Sequence, residues 1–227
     1  MVRRAIPLVT ALIAVTALNV SVVVVSVSAP VANAVGSCLL HVPSRVAIGR
    51  PYTAITLTMS GDCVNGGYGS WDLYHPTQGF QDITIFNGTR TDIWDFYSFH
   101  TIGLHNWRAG TAWDVGGAYR PQNSPSSDVR LAAGAGISSA RFGGGVTLRG
   151  TSLLYSVGNN SYFRRSAAGM FQFRESGTTT WKNLRSVRTN SAGVVSLSYR
   201  YSKVRDYRFA VYSTSISWAA GSAVTTR

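Results

Sequence analysis

The sequence predicts an all-β protein of two tandem β-sandwiches behind an N-terminal export signal. Three observations carry this. Short runs of alternating apolar and polar residues recur between Gly, Asn and Pro turns, and no stretch beyond residue 35 keeps a helical period. The charge also divides the chain into a neutral half and a basic half.

The export signal is read first. Arg3 and Arg4 precede an apolar run from Ile6 to Val31, which ends in Ala32-Asn33-Ala34, the small-x-small pattern a signal peptidase cleaves. Residues 1–34 are therefore expected to be a signal peptide of the general secretory route, since the residues around the arginine pair fit the twin-arginine pattern poorly. The run exceeds the usual ~7–15 residues, so an uncleaved membrane anchor is the alternative. Pro30 and the scattered polar residues favour cleavage.

Beyond the signal, strand-like runs appear at 45–48, 54–59, 70–74, 82–86, 93–99 and 103–108. Asn65-Gly66-Gly67, His75-Pro76, Asn87-Gly88 and Gly116-Gly117 separate them. A turn every ~8–12 residues is a sandwich pattern. The expected first domain spans 35–130. A Gly, Ala and Ser-rich segment at 131–144 reads as a linker, and the second domain spans 145–227. There Phe171 and Phe173 alternate with polar neighbours, as do Val195, Leu197, Tyr199 and Tyr201. Further strands are expected at 181–189, 207–211, 215–219 and 223–226.

The segment Phe171-Gln172-Phe173-Arg174, Gly177 to Lys182, Thr189-Asn190-Ser191-Ala192-Gly193 and Arg205-Asp206-Tyr207-Arg208 resembles the immunoglobulin-like repeat of secreted actinobacterial proteins. The similarity is strongest over 145–227. The lead segments Trp71 to Pro76 and Trp94 to Tyr97 are similar, more weakly, to the first domain of two-domain members. The resemblance implies tandem immunoglobulin-like sandwiches and an extracellular location rather than an activity.

The two cysteines, Cys38 and Cys63, are expected to form one disulfide, worth about 3 kcal/mol in the chain-entropy model. The alternative treats Val35-Gly36-Ser37-Cys38 as a loose lipidation motif, which would leave Cys63 an unpaired thiol.

Residues 35–141 balance seven Arg with seven Asp. Residues 142–227 carry twelve Lys and Arg against only Glu175 and Asp206. That imbalance points to an anionic partner for the second domain. Arg164, Arg165, Arg174, Lys182, Arg185, Arg188, Arg200 and Arg208 are the candidate polyanion-binding residues. The plainer reading is solubility and protection of edge strands. Partners expected outside a cell are anionic cell-wall polymer or polysaccharide, not intracellular nucleic acid, with retention at the wall as the consequence.

Catalysis is not expected. The second half has no His or Cys and two acids, too little for proton shuttling or a metal. In the first half His41, His75, His100 and His105 accompany the seven Asp, so a hydrolase or a calcium-dependent activity is the rival class. A triad could be drawn from Ser70 or Ser98, His100 or His105, and Asp95, but no nucleophile motif surrounds those serines. Calcium could draw on Asp92 and Asp95 with Asp72 or Asp114. No other cofactor is implied. Trp71, Trp94, Trp107 and Trp113 are candidates for stacking on a sugar ring, with core packing expected to claim two or three of them.

Overall fold

The computed structural model describes residues 36–227, so the expected signal peptide lies outside the described residues. These residues are all strand, turn and loop, with no helix among them. The described residues form one compact unit.

The first sandwich contains β1 (Cys38–His41), β2 (Arg45–Ile48), β3 (Tyr52–Gly61), β4 (Tyr68–His75), β5 (Gly79–Asn87), β6 (Thr91–Tyr97), β7 (Gly103–Trp113) and β8 (Ser126–Leu131). One sheet has the order β1-β3-β6 and the other β2-β8-β7-β4-β5. Only β2 and β8 pair in parallel; the other ladders here are antiparallel. The strands bury alternate residues because successive side chains point to opposite faces. Ile55, Leu57 and Met59 from β3 meet Trp71 and Leu73 from β4, Trp94 and Phe96 from β6, and Trp107 from β7.

The second sandwich contains β9 (Ala133–Phe142), β10 (Gly145–Ser156), β11 (Ser161–Arg164), β12 (Ala168–Glu175), β13 (Lys182–Arg188), β14 (Val194–Arg200) and β15 (Arg205–Val211). The short β16 (Ala220–Gly221) and β17 (Thr225–Thr226) complete it. In one sheet β10 pairs β9 on one side, and β14 and β11 on the other. The second sheet runs β13-β12-β15, with β16 and β17 both on β15. Phe171, Tyr207, Phe209, Val146 and Leu148 form its core.

Both halves share a topology. β1, β3 and β6 of the first half correspond to β9, β10 and β14 of the second, and β4, β5 and β7 correspond to β12, β13 and β15 in the opposite sheet, which is the immunoglobulin-like arrangement. The sandwich expectation holds.

The expected linker does not exist. Residues 133–142 are β9, hydrogen-bonded to β10 from Phe142↔Gly145 to Ala133↔Leu154. Its glycines and alanines serve packing: Ala135 and Ile137 face the core, while Gly134 and Gly136 lie opposite Leu153 and Thr151. Ala132 alone separates β8 from β9, and it is tied on both sides. Its N–H donates to the Ile48 carbonyl at 2.7 Å, and its carbonyl accepts from Tyr155 at 3.0 Å.

The expected strand at 215–219 is instead a loop that joins the sandwiches. Leu131 N–H donates to the Ile216 carbonyl at 2.9 Å, and Trp218 N–H donates back to Leu131 at 3.2 Å. The Trp218 indole N–H donates to the Val46 carbonyl at 2.8 Å. Its ring carries the Arg45 and Arg130 guanidiniums at 4.7 and 4.2 Å, an attraction between cation and ring quadrupole. Tyr155, from β10 of the second sandwich, is buried in the core of the first.

Cys38 and Cys63 are joined, with Cα atoms 5.6 Å apart. Cys38 is therefore a disulfide half and not a lipid attachment. The bond closes a separation of 25 residues, so the chain-entropy model predicts that its reduction lowers stability by about 3 kcal/mol. Trp218→Ala is expected to cost about 2–3 kcal/mol, below the range for a fully buried Trp because the residue is only partly buried. Urea denaturation checks both, and the tryptophan variant should also separate the unfolding of the two halves into distinct transitions.

Candidate functional site

The basic residues of the second sandwich sort into two groups. Its two acids are already engaged. Glu175 pairs with Arg205 at 2.5 Å, and Asp206 accepts from Arg174 at 2.9 Å. Arg205 beside Glu175 and the Thr226 and Arg174 donors beside Asp206 hold both carboxyls below their ordinary range. Arg174 and Arg208 also flank the Trp181 ring at 4.9 and 4.3 Å, and Arg208 donates to Gln172 at 2.7 Å. These two candidates therefore build an outer ladder on β12 and β15 and have little left for a ligand. Lys182 lies at the edge strand β13, within the field of Glu175.

Arg164, Arg165, Arg185, Arg188 and Arg200 make no side-chain hydrogen bond or ion pair among the described residues, and neither does Arg149. Arg200 sits at the far end of β14 and Arg185 on β13. The other four line two depressions in pairs. Arg165 and Arg188 line a pocket of about 130 Å³ together with Ser166, Ser213 and Thr214. Arg149 and Arg164 line a shallow groove of about 280 Å³ floored by Gly136, Ser138 and Thr151. Arg164 and Arg165 are adjacent in sequence, so the groove and the pocket border consecutive residues of one basic band, although the two depressions share no lining residue.

The backbone under this band is pinned. Buried Ser152 donates to the Arg165 carbonyl at 2.5 Å, and buried Thr189 accepts from the Ala167 N–H at 2.8 Å. The turn behind it needs Gly193, whose φ is +68° and where a Cβ would lie 2.8 Å from the Ser152 carbonyl oxygen. Arg149 was missed in the sequence, although β10 alternates: Val146, Leu148, Gly150 and Ser152 are buried while Thr147, Arg149 and Thr151 face out. The alternating pattern was the signal that could have found it.

In the first sandwich Trp71, Trp94 and Trp107 are core residues, unavailable to a sugar. Trp113 is 41% exposed and pairs with Tyr68 across the β4–β7 ladder, ring centroids 5.0 Å apart. With Asn87 and Asp114 they line an open groove of about 410 Å³.

The rival chemistry finds no assembled site among the described residues. Asp92 accepts from Thr84 and from the Ile85 N–H, and Asp95 accepts from the Tyr52 hydroxyl at 2.7 Å. The two sit three residues apart on β6, hence on opposite faces. Ser70 is committed to the Thr111 N–H at 3.1 Å, and buried His105 bonds the Gly103 carbonyl at 3.1 Å. A Ser–His hydrogen bond does occur, between Ser60 and His41 at 2.6 Å, but it is exposed and has no carboxylate partner to orient the ring. No cluster of three metal-ligating side chains occurs among the described residues, nor any helix long and apolar enough to cross a membrane.

No protein-family model matches the sequence, and no curated protein matches it. Among solved structures, a tetra-tandem repeat from the extending region of a large adhesion protein is similar at 10% identity and TM-score 0.33, over 85% of this chain and 48% of that one. The chain thus spans about half the length of that repeat. The D0–D1 domain of intimin is similar at 10% identity and TM-score 0.27, covering 84% and 96% of the two chains. The D00–D0 domain of intimin gives 14% identity and TM-score 0.25, covering 83% and 98%. At such low scores neither fold nor function is taken from them; the sandwich topology stands on its own strand order.

His105 supplies a test of the first core. Burial holds its pKa below the ordinary 6.5, so the folded protein keeps the ring neutral. Above pH 6.5 both states are neutral there. Below it the unfolded chain takes up a proton that the folded chain refuses, so stability falls with pH until the folded pKa is reached. Denaturation midpoints measured on the acid side should decline, and His105→Phe should flatten that part of the profile.

Proposed function

We propose that the chain is an exported, non-catalytic binding protein that attaches to anionic polymer of the cell envelope through its second sandwich. The signal-like N-terminus, the disulfide and the resemblance of residues 145–227 to secreted actinobacterial repeats support the extracellular setting. One observation carries the binding role. Both acids of the basic half are consumed by Arg174 and Arg205, while Arg149 and Arg164 remain unneutralised at one depression and Arg165 and Arg188 at another.

The chemistry suits phosphate or carboxylate. A guanidinium presents a planar fork of donors that matches either group with two parallel hydrogen bonds. Two pairs of such groups, one of them beside the pinned backbone of residues 165–167, offer a polymer two points of attachment. The serine and threonine hydroxyls of the floor add neutral donors. Because the contacts are exposed, they weaken as salt shortens the Debye length from ~10 Å at 0.1 M to ~3 Å at 1 M.

The test replaces Arg149, Arg164, Arg165 and Arg188 together with Gln. The unaltered protein is expected to be retained on isolated cell walls and on polygalacturonate at low salt and released at high salt. The variant should bind at least about tenfold more weakly, since each exposed charge contact is worth a few tenths to ~1 kcal/mol. Equal retention of the two proteins, with an unchanged denaturation midpoint, would sink the proposal. Arg174→Gln and Arg208→Gln should instead lower stability with little effect on retention.

A further inference from the structure

The neutral sandwich carries a surface that the charge-driven attachment does not use. Four residues line up across its larger sheet. Asn87 on β5 is in register with Tyr68 on β4, and Tyr68 with Trp113 on β7. Trp113 bridges in turn to Tyr119 on the returning segment. Neighbouring strands lie ~4.8 Å apart, so the row extends roughly 14 Å across the sheet. Trp113 and Tyr119 are 41% and 65% exposed. The Tyr68 and Trp113 rings are tilted 38° to one another and form a bent aromatic floor.

The walls are rigid. The Cys38–Cys63 bond anchors one of them: the Cys63 carbonyl accepts from Gly67 at 3.1 Å, and the Gly67 carbonyl accepts from Gly88 at 3.0 Å. Gly67 has to be glycine, because a Cβ there would meet the Trp113 carbonyl oxygen at 2.4 Å. The other wall is the loop from Asp114 to Ala118. Asp114 accepts from Ala118 at 2.9 Å and from Arg120, which also reaches Asp62 at 3.5 Å. Backbone and guanidinium donors hold the Asp114 carboxyl below its ordinary pKa, so it is an acceptor at neutral pH.

We infer that this groove binds a chain of pyranose rings laid across the strands, in a glycan without strong negative charge. Aromatic faces stack on the C–H faces of sugars, and exposed aromatic surface this contiguous is otherwise a liability on a soluble domain. Hydroxyl recognition needs acceptors and donors at the rim. Asp114 supplies the first; the Asn87 amide, which has no hydrogen bond among the described residues, supplies both. Charge excludes a polyanion. The groove is lined by one carboxylate, Asp114, and by no Lys or Arg, and the nearby Arg120 is paired to Asp62 and Asp114. This makes the groove complementary to the basic band: one surface for neutral glycan, the other for anionic polymer.

The experiment uses the full exported chain at high salt, where attachment through arginine is screened. Cello-, xylo-, manno- and chito-oligosaccharides are titrated while tryptophan fluorescence is followed, with pull-down on cellulose, chitin and wall glycan stripped of anionic polymer. At least one glycan is expected to bind and to shift the emission, since Trp113 is the tryptophan in the groove. Trp113→Ala should weaken that binding about tenfold, Trp113→Phe less, and Asn87→Ala by severalfold, all with unchanged denaturation midpoints. The variant lacking Arg149, Arg164, Arg165 and Arg188 should bind the glycan normally. Binding to none of these glycans, or binding that Trp113→Ala leaves intact, overturns the inference without touching the basic band. Failure of the arginine variant in the polygalacturonate assay alone bears only on the other proposal.

Discussion

The junction between the two sandwiches depends on a single indole. Ala132 is all that separates β8 from β9, so the halves are forced together and the seam must be filled. Trp218 fills it: its N–H satisfies a β2 carbonyl and its faces take Arg45 and Arg130. Arg130 is itself held by Asp128 and by the Thr214 carbonyl at 2.5 Å. Tyr155 enters the first core from the second sandwich. A one-residue connection with flanking hydrogen bonds leaves little room for hinge motion, unlike a flexible Gly and Ser linker.

This rigidity matters for binding. Two surfaces fixed on one body lose less entropy when both are occupied than two surfaces on a tether, and the second contact becomes an intramolecular event. Each surface is also stiffened by features far apart in sequence. The disulfide and the Arg120 bridges set the walls of the aromatic groove. Buried Ser152 and Thr189 set the backbone of Arg165.

Electrostatics divides the arginines by what lies opposite them. Across β12 and β15 the register sets Arg174 beside Asp206 and Arg208 beside Gln172, so those side chains are spent on the sheet. On the outer face of β10 the cross-strand neighbours of Arg149 are Ser138 and Ser196. Hydroxyls there cannot neutralise a guanidinium. Formal charge alone would rank all these arginines alike; register separates them.

Much was legible in the sequence. Period-two alternation and turn chemistry reveal the strands, because each side chain's face follows from its position along the chain. The charge asymmetry and the pairing of two lone cysteines are likewise properties of composition. The expected linker failed because small residues read as disengaged, while here close cross-strand packing requires them, and the expected strand at 215–219 failed because its alternation serves a loop that bonds across the junction. Which tryptophan stays at the surface, which arginines remain free, and how Asn87, Tyr68, Trp113 and Tyr119 fall into one row were decided only by tertiary structure. Those outcomes depend on cross-strand register and on partners tens of residues away, and a local pattern carries no information about what it will face.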